Sequence, residues 1–241
     1  MNIARTILTA SALVCAISAP AYAVTITTTF TPGSSTLPIA PAAVEYSQNF
    51  TTTNPNGTPY APDVTLGESV TGVVRTFRQS VSGQASKPDV QPNTLGSFLV
   101  IGAGSAETPM PGSFTVDLTA TAPARVFSFV LGTLDAFNTV TLTFLNSAPQ
   151  TFTGNQILFG NNTVGTGVSS PPPSGRVTYD FGTSDFLTSI TFASTRRAFE
   201  IDSLASAAPE PAAWALMILG FGIVGSALRR RRRTQVRFNF A

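Results

Sequence analysis

Two aspartates in the last third of the chain have the residue type and spacing that acid–base hydrolysis of a sugar polymer would need. Asp180 and Asp185 are separated by a short Phe-Gly-Thr-Ser segment, and paired carboxylates in glycoside hydrolases stand roughly 5 to 9 Å apart. The same segment is typical of a strand end followed by a turn. We therefore predict a turn here and keep carboxylate-based hydrolysis as a minor alternative.

The remaining composition excludes most other catalytic chemistry. The chain has no histidine and one cysteine, Cys15. A Ser-His-Asp or Cys-His pair is therefore impossible. Zinc sites built on histidine or cysteine, haem ligation and iron–sulfur clusters are excluded for the same reason, because Cys15 falls in a predicted signal peptide. We predict that the protein is not an enzyme.

Four oxygen-bearing side chains are the best candidates for a metal site, with Ca²⁺ as the metal. Asp135 and Asn138 fall in a predicted loop, and Glu200 and Asp202 lie near the end of the predicted domain. Ca²⁺ takes 6–8 oxygen ligands, so this set is too small. Asp-x-x-Asn is also an ordinary turn sequence, and we expect the two later acids to share one solvent-facing side of a strand. We predict no cofactor, with Ca²⁺ as the alternative.

Sugar binding without catalysis would favour exposed aromatic rings. Tyr46, Tyr60 and Tyr179 could stack on sugars, whereas the only tryptophan, Trp214, lies outside the predicted domain. A lectin-like carbohydrate-binding module, with or without Ca²⁺, is therefore the second hypothesis for function.

Threonine alternates with other residues at 25–29 and again at 139–143. Because side chains alternate across a strand, each run places three hydroxyls on one face, and such a row could order water at an ice surface. β-branched threonine also suits an exposed strand without any ligand. Two repeats are too few to predict a flat array, so ice binding is a minor alternative.

Short strands are predicted throughout the middle of the chain. In 139–144 the alternation is most regular, and Val140, Leu142 and Phe144 should face a core. Turn-forming clusters of Gly, Pro, Asn and Ser separate the segments. Many short strands with regular turns predict an all-β sandwich or barrel. The predicted strands are 24–30, 114–118, 126–131, 139–144, 177–181, 187–192 and 198–201.

The charge of the middle segment differs from that of the whole chain. The chain carries a net charge of +2 at pH 7, with 14 basic residues, half of which lie in the terminal segments. Residues 24–208 hold seven basic and eleven acidic residues, a net charge of −4. This sign argues against electrostatic binding of nucleic acid.

Residues 1–23 have the layout of a secretory signal peptide. Arg5 precedes an apolar stretch at residues 7–17, and Ala21 and Ala23 occupy the two positions that specify cleavage. The mature chain would therefore begin at Val24.

The C-terminal segment has three parts. A Pro-Glu-Pro motif and Trp214 lead into an apolar run over 212–228, which is at the lower limit for a helix that crosses the roughly 30 Å bilayer core. Trp214 suits a membrane interface, and the positive-inside rule keeps the basic block cytoplasmic. We predict a transmembrane helix at 212–228 and a cytoplasmic tail at 234–241. The basic block consists of Arg229, Arg230, Arg231, Arg232 and Arg233.

This tail resembles the PEP-CTERM sorting signal, in its PEPxxWA variant, over residues 209–233. Pro209, Glu210, Pro211, Trp214 and Ala215 match the motif at 209–215. The resemblance implies export across the inner membrane of a Gram-negative bacterium and recognition by an exosortase, a membrane-embedded cysteine transpeptidase or protease. It also implies an inner-membrane-inserted precursor, cleavage near Pro-Glu-Pro, and delivery to the cell surface or an extracellular polysaccharide matrix.

Residues 126–201 also resemble the β-sandwich domain of several sorted surface proteins. The resemblance rests on the residues at 127–129, on the loop and strand at 132–140, and on the closing residues 198–202. It implies a jelly-roll-like sandwich. We predict that this domain covers 24–202 and that the small residues at 203–208 are a linker to the sorting signal.

These observations combine into one hypothesis for function. We expect an exported, exosortase-processed surface or extracellular-matrix protein, non-catalytic, with a structural or adhesive role linked to exopolysaccharide. The expected partners are exosortase, the inner membrane during sorting and extracellular polysaccharide, and no nucleic acid.

Overall fold

The computed structural model describes most of the predicted domain and a short part of the tail. The predicted signal peptide, the Pro-Glu-Pro motif, Trp214 and the arginines from Arg230 onward lie outside the described residues. The described residues are 24–39, 44–50, 57–91, 96–102, 110–120, 123–160, 174–182, 185–207, 219–226 and 228–229.

The described chain is built mainly from short antiparallel strands. Single helical turns at Val64–Leu66, Leu118–Ala120 and Gln156–Phe159 connect some of them. The strands are β1 (Thr27–Pro32), β2 (Val44–Gln48), β3 (Thr58–Pro59), β4 (Glu68–Gly72), β5 (Val74–Phe77), β6 (Phe98–Ile101), β7 (Gly112–Asp117), β8 (Val126–Leu131), β9 (Asn138–Phe144), β10 (Gln150–Thr153), β11 (Gly175–Asp180), β12 (Leu187–Ser194) and β13 (Phe199–Ala207).

Two sheets form the sandwich. The eight-stranded sheet has the order β1-β11-β8-β13-β6-β5-β3, with β2 also paired to β13, and the five-stranded sheet has the order β10-β9-β12-β7-β4. From β6 onward, successive strands cross between the sheets except at the β9–β10 hairpin. This alternation is the pattern of a jelly roll, and it confirms the predicted fold class.

The core lies between the sheets and is rich in phenylalanine. Val140, Leu142 and Phe144 are buried in it, as the alternation predicts. Phe192 of the five-stranded sheet contacts the rings of Phe129 and Phe199 on the other sheet, with centroids 4.9 and 6.0 Å apart. Edge-to-face contacts of this kind add to the hydrophobic stabilisation of a core.

Two irregular segments cover the outer face of the eight-stranded sheet, and we call residues 33–39 and 80–91 the covering segments. They join where the Ser35 N–H donates to the Gln91 carbonyl at 3.0 Å. Val90 packs against Val130 of β8, and Ile39 packs against two alanines of β13. Both faces of this sheet are therefore buried along β8 and β13.

The end of the sandwich differs from the predicted boundary. The linker predicted at 203–208 is wrong for 203–207, because these residues form the second half of β13. Alanine and serine look like linker residues, but here Ala205 and Ala207 pack against Ile39. The described sandwich therefore runs to Ala207.

Only a short part of the predicted transmembrane segment is described. Residues 219–226 are helical and exposed. Within the described ranges, we find no helix with the length and apolar character needed to cross a membrane. The span predicted at 212–228 stays a prediction.

Candidate functional site

The two aspartates considered for hydrolysis are engaged in local hydrogen bonds. Asp180 is exposed at the end of β11, where its Oδ1 accepts the Gly182 N–H at 2.8 Å. Asp185 is buried and accepts N–H groups from Phe186 and Asn146. Burial alone would raise the pKa of Asp185, but hydrogen bonds from Ser147, Phe186 and Asn146 lower it overall. A lowered pKa does not suit a general acid.

The four side chains considered for Ca²⁺ do not form one site. Asp135 is half-buried, and its carbonyl accepts the Asn138 N–H at 3.1 Å, which confirms the turn. Asn138 is buried, and its Oδ1 accepts the Ser194 hydroxyl. Among the described residues, no group of three or more His, Cys, Asp or Glu side chains could hold a metal ion.

The expectation that Glu200 and Asp202 point to solvent is wrong. They do share one face of β13, but the covering segments bury that face, and the two side chains are 2% and 0% exposed. Glu200 accepts the Ser86 N–H at 3.0 Å and the Thr133 hydroxyl. Burial raises the pKa of Glu200. This carboxyl therefore fastens the second covering segment to the sheet.

Arg176 fastens the first covering segment in the same way. Its Nε and Nη2 donate to the Ser35 carbonyl at 3.1 and 2.7 Å. The guanidinium also donates to Ser128 Oγ on β8 and to the carbonyl and hydroxyl of Ser203 on β13. One buried side chain thus joins two neighbouring strands and the segment above them.

Asp202 lies near this guanidinium and is less well satisfied. Its Oδ1 accepts the Ser203 N–H at 2.6 Å, while Oδ2 has no hydrogen-bond partner among the described residues. Burial raises the pKa of Asp202 to about 8, although Arg176 and Lys87 oppose this shift. Burial likewise lowers the pKa of Arg176 to about 10. This carboxyl therefore holds its proton to a higher pH than an exposed aspartate does.

A further buried acid, Glu68 at the start of β4, accepts four hydrogen bonds. Its Oε1 accepts Tyr46 OH at 3.0 Å and Gln48 Nε2 at 2.8 Å. Its Oε2 accepts Tyr60 OH and the Asp63 N–H. Burial, with this carboxylate nearby, raises the pKa of both tyrosines. The cluster holds β2 and the 60–63 segment against β4.

The three tyrosines considered for sugar stacking are not free platforms. Tyr46 is buried, and so is Tyr179, whose hydroxyl donates to the Ile157 carbonyl at 2.8 Å. Tyr60 is half-buried and packs edge-on against the rings of Phe50 and Phe114. The prediction that Tyr46 and Tyr179 could stack on a sugar is therefore wrong, because both rings are buried. The ring of Tyr60 is held by its contacts with the core.

The outer face of the five-stranded sheet carries small hydroxyl side chains in register, and we call it the hydroxyl face. One row crosses all five strands, and a second runs beside it with one alanine in place of a hydroxyl. A third, shorter row contains Asp117, the one charged residue among the described residues of this face. The rows are Thr151-Thr141-Thr191-Thr115-Ser69, Thr153-Thr139-Ala193-Ser113-Thr71, and Thr143-Ser189-Asp117.

The geometry of the hydroxyl face follows from the sheet. Neighbouring strands are about 4.8 Å apart, and every second residue along a strand repeats at about 6.8 Å. Hydroxyls also bond across strands, at 2.8 Å between Thr115 and Thr191 and at 3.0 Å between Thr141 and Thr151. The result is an ordered, nearly uncharged surface on which each hydroxyl can both donate and accept.

The two threonine repeats noted in the sequence lie on different sheets. Thr27 and Thr29 belong to β1, at the edge of the eight-stranded sheet, whereas 139–143 belongs to the hydroxyl face. Four other strands extend the rows of the second repeat beyond what the sequence showed, and the expectation that the repeats are too few for a flat, ice-binding array stays a prediction. The sequence feature that could have predicted the hydroxyl face is the alternation of Ser and Thr with other residues at 113–115, 151–153 and 189–191. The Glu68 and Arg176 clusters had no such local signal.

The described structure defines the class of the protein as an all-β sandwich whose buried charged side chains join structural elements. A family model for the PEP-CTERM protein-sorting motif matches residues 207–233. No curated protein and no solved structure matches the chain significantly. The chain thus carries the PEP-CTERM sorting signal, which implies an exported, exosortase-targeted protein that passes through the cell envelope to the surface.

Proposed function

We propose that the mature domain is a non-catalytic adhesive protein whose hydroxyl face binds neutral polysaccharide of the extracellular matrix. The observation that carries this proposal is the register of serine and threonine across all five strands of one sheet. A surface of this kind offers paired donors and acceptors to the hydroxyls of a sugar polymer and has little charge to attract an ionic one.

The buried charged groups support a non-catalytic role. Glu68, Arg176 and Glu200 each hold two or more elements together through hydrogen bonds. Catalytic acids and bases are held instead in a cleft within reach of a substrate. Replacing any of the three side chains would therefore affect folding before it affected a reaction.

The energetics favour many weak contacts over one tight site. A hydrogen bond that replaces bonds to water contributes only about 0.5–1.5 kcal/mol, and the described tyrosines offer no exposed stacking platform. A single domain should therefore bind a polymer weakly. Many copies of the domain at one surface would bind strongly, because binding of one copy raises the effective concentration of the polymer at the others.

The test is retention of the mature domain on immobilised matrix polysaccharides, neutral and anionic. In the variant Thr115→Val/Thr141→Val/Thr191→Val each side chain keeps its shape and loses its hydroxyl, so retention on the neutral polymer should fall by about tenfold or more, as loss of a few weak bonds implies. The matched control, Thr27→Val/Thr29→Val, changes exposed threonines on the other sheet and should be retained normally. Equal retention of both variants would contradict the proposal.

Ice binding is a second candidate, and the two-dimensional register of the hydroxyl face favours it. Threonine rows that repeat in two directions can order a layer of water. The right-handed twist of a five-stranded sheet, roughly 20–25° per strand, makes the face less flat than an ice plane. The same two variants test ice binding when thermal hysteresis is measured instead of retention. Only the variant on the hydroxyl face should lose thermal hysteresis.

A further inference from the structure

The strand that leads into the sorting motif is an interior strand of the sandwich. On one side β13 pairs with β8, from Ile201–Leu131 to Ala207–Val126. On the other side it pairs first with β6 and then with β2. Eight of its nine residues are buried. The last described strand of the domain is therefore held on both edges.

This pairing continues to the last residue of the strand. Ala207 lies opposite Val126 and Val44, and its carbonyl accepts the Arg125 N–H at 2.9 Å. The match to the sorting motif begins at this same residue. In the sequence, Ala208 alone separates this last paired residue from the Pro-Glu-Pro motif.

An enzyme that cuts a peptide needs backbone on both sides of the bond, and extended peptides are commonly recognised through their main-chain hydrogen-bonding groups. In the folded domain, the groups of 204–207 are bonded to β2 and β8. For a bond near the Pro-Glu-Pro motif, the backbone groups on the N-terminal side, up to Ala207, are therefore already occupied in the folded domain. Releasing 204–207 would expose the fully buried Leu204 and separate two ladders.

We propose that exosortase acts on this chain before β13 docks into the eight-stranded sheet, and that docking ends the period in which the chain can be cut. The order of synthesis suits this sequence of events, because the sandwich cannot close until 199–207 has emerged on the outer side of the membrane. During that interval 204–207 are not yet paired with β2 and β8. Folding and processing therefore compete for the same segment.

The proposal predicts different fates for old and newly made precursor in the same cells. Precursor accumulates and folds while exosortase is depleted, and exosortase is then induced during a pulse of labelled amino acid. Newly made wild-type chain should be cut, whereas the old, folded chain should be cut at least about tenfold more slowly, because cleavage of a folded chain follows the population of its open form.

An insertion variant tests whether the short connection between β13 and the Pro-Glu-Pro motif, rather than folding of the domain itself, prevents cleavage. About eight Gly/Ser residues placed between Ala207 and Ala208 add roughly 15 Å of flexible reach, and the old precursor of this variant should be cut as fast as new chain. The control carries the same insertion between Ala148 and Pro149, in the β9–β10 turn, and its old precursor should stay slow.

Three results would overturn the proposal. The first is cleavage of old wild-type precursor as fast as new chain, which means that the docked strand does not hinder the enzyme. The second is an old insertion variant that stays uncut, which means that distance from the sheet is not the obstacle. The third is equal acceleration by the control insertion, which means that lost stability explains the effect.

Discussion

At the scale of single residues, the most unusual group is Asp202, a carboxyl that is fully buried beside a buried guanidinium. Its folded-state pKa of about 8 lies above the value of about 3.9 for an unfolded chain. The folded state therefore holds this proton more tightly. Its contribution to stability is complete below about pH 4 and is lost as the pH rises through 8.

We predict that Asp202→Asn weakens the pH dependence of folding. The wild-type domain should lose free energy of unfolding between pH 4 and pH 8, and the variant should lose less, with a difference of at least roughly 1 kcal/mol since one pKa unit corresponds to about 1.4 kcal/mol. Urea unfolding at several pH values measures this. The exposed Asp89→Asn variant serves as the control. If the free energy of unfolding changes with pH equally in the wild type and both variants, Asp202 is not the group that lowers stability as the pH rises.

Sequence alternation placed Glu200 and Asp202 on one face of one strand but did not show that the face is covered. The cover comes from 33–39 and 80–91, which have no regular period and lie more than a hundred residues before β13 in the chain. A strand's own pattern reports which side chains share a face. It does not report which distant segment closes over them.

At the scale of elements, the turn between Leu66 and β4 depends on Gly67. This residue has φ +75°, and a Cβ there would stand 2.1 Å from the Asp117 carbonyl oxygen. That carbonyl belongs to the neighbouring strand, β7, whose Asp117 N–H donates to the Gly67 carbonyl at 2.9 Å. Backbone on both sides of the contact leaves no side chain that could move away.

We predict that Gly67→Ala destabilises the domain by more than about 2 kcal/mol, because it combines a left-handed backbone with a steric clash. Gly182→Ala is the matched comparison: its φ is +60°, and a Cβ there meets no described atom within 4 Å, so it should cost only about 1–2 kcal/mol. Thermal unfolding measures both. If both variants lose the same stability, the backbone around Gly67 can move to make room for the Cβ at no energetic cost.

Strands with an apolar or alternating pattern of their own were predicted from the sequence, and strands that depend on a distant partner were not. β8 was predicted at 126–131, and the structure has Val126–Leu131; β9 differs by one residue. β2 and β4 contain few apolar residues, and they are held in place partly through the buried Glu68. What identifies these strands is a hydrogen bond between residues about 20 positions apart, and the local sequence of either strand does not show it.

At the scale of the whole molecule, Phe192 joins the two sheets into one core. Its ring contacts Phe114 of its own sheet and Phe127, Phe129 and Phe199 of the other. Because the main buried cluster spans both sheets, they should unfold together as one cooperative unit.

We predict that Phe192→Ala lowers the free energy of unfolding by about 3–5 kcal/mol, the usual cost of removing a fully buried phenylalanine. Phe30→Ala, at a half-buried position on β1, should cost clearly less. Chemical denaturation followed by circular dichroism provides the comparison. A loss at Phe192 no larger than that at Phe30 would mean that the inter-sheet contact contributes little.

The all-β class and the sandwich were predictable from strand periodicity and turn residues, whereas the strand order was not. The pairing of β2 with β13 joins residues more than 150 positions apart. Such contacts depend on the closure of long loops rather than on local preference. The hydroxyl face is a product of this order, since its rows exist only when β10, β9, β12, β7 and β4 lie side by side.

The interior position of β13 also has a mechanical consequence. When the processed end of the chain is held and the hydroxyl face is pulled, tension enters the domain along β13. Antiparallel hydrogen bonds run perpendicular to the strands, so this load shears the flanking ladders to β8, β2 and β6. Bonds loaded in shear share the force and must fail together, whereas an edge strand can peel away one bond at a time. Attachment of the domain through this end would therefore load the strand best placed to bear tension.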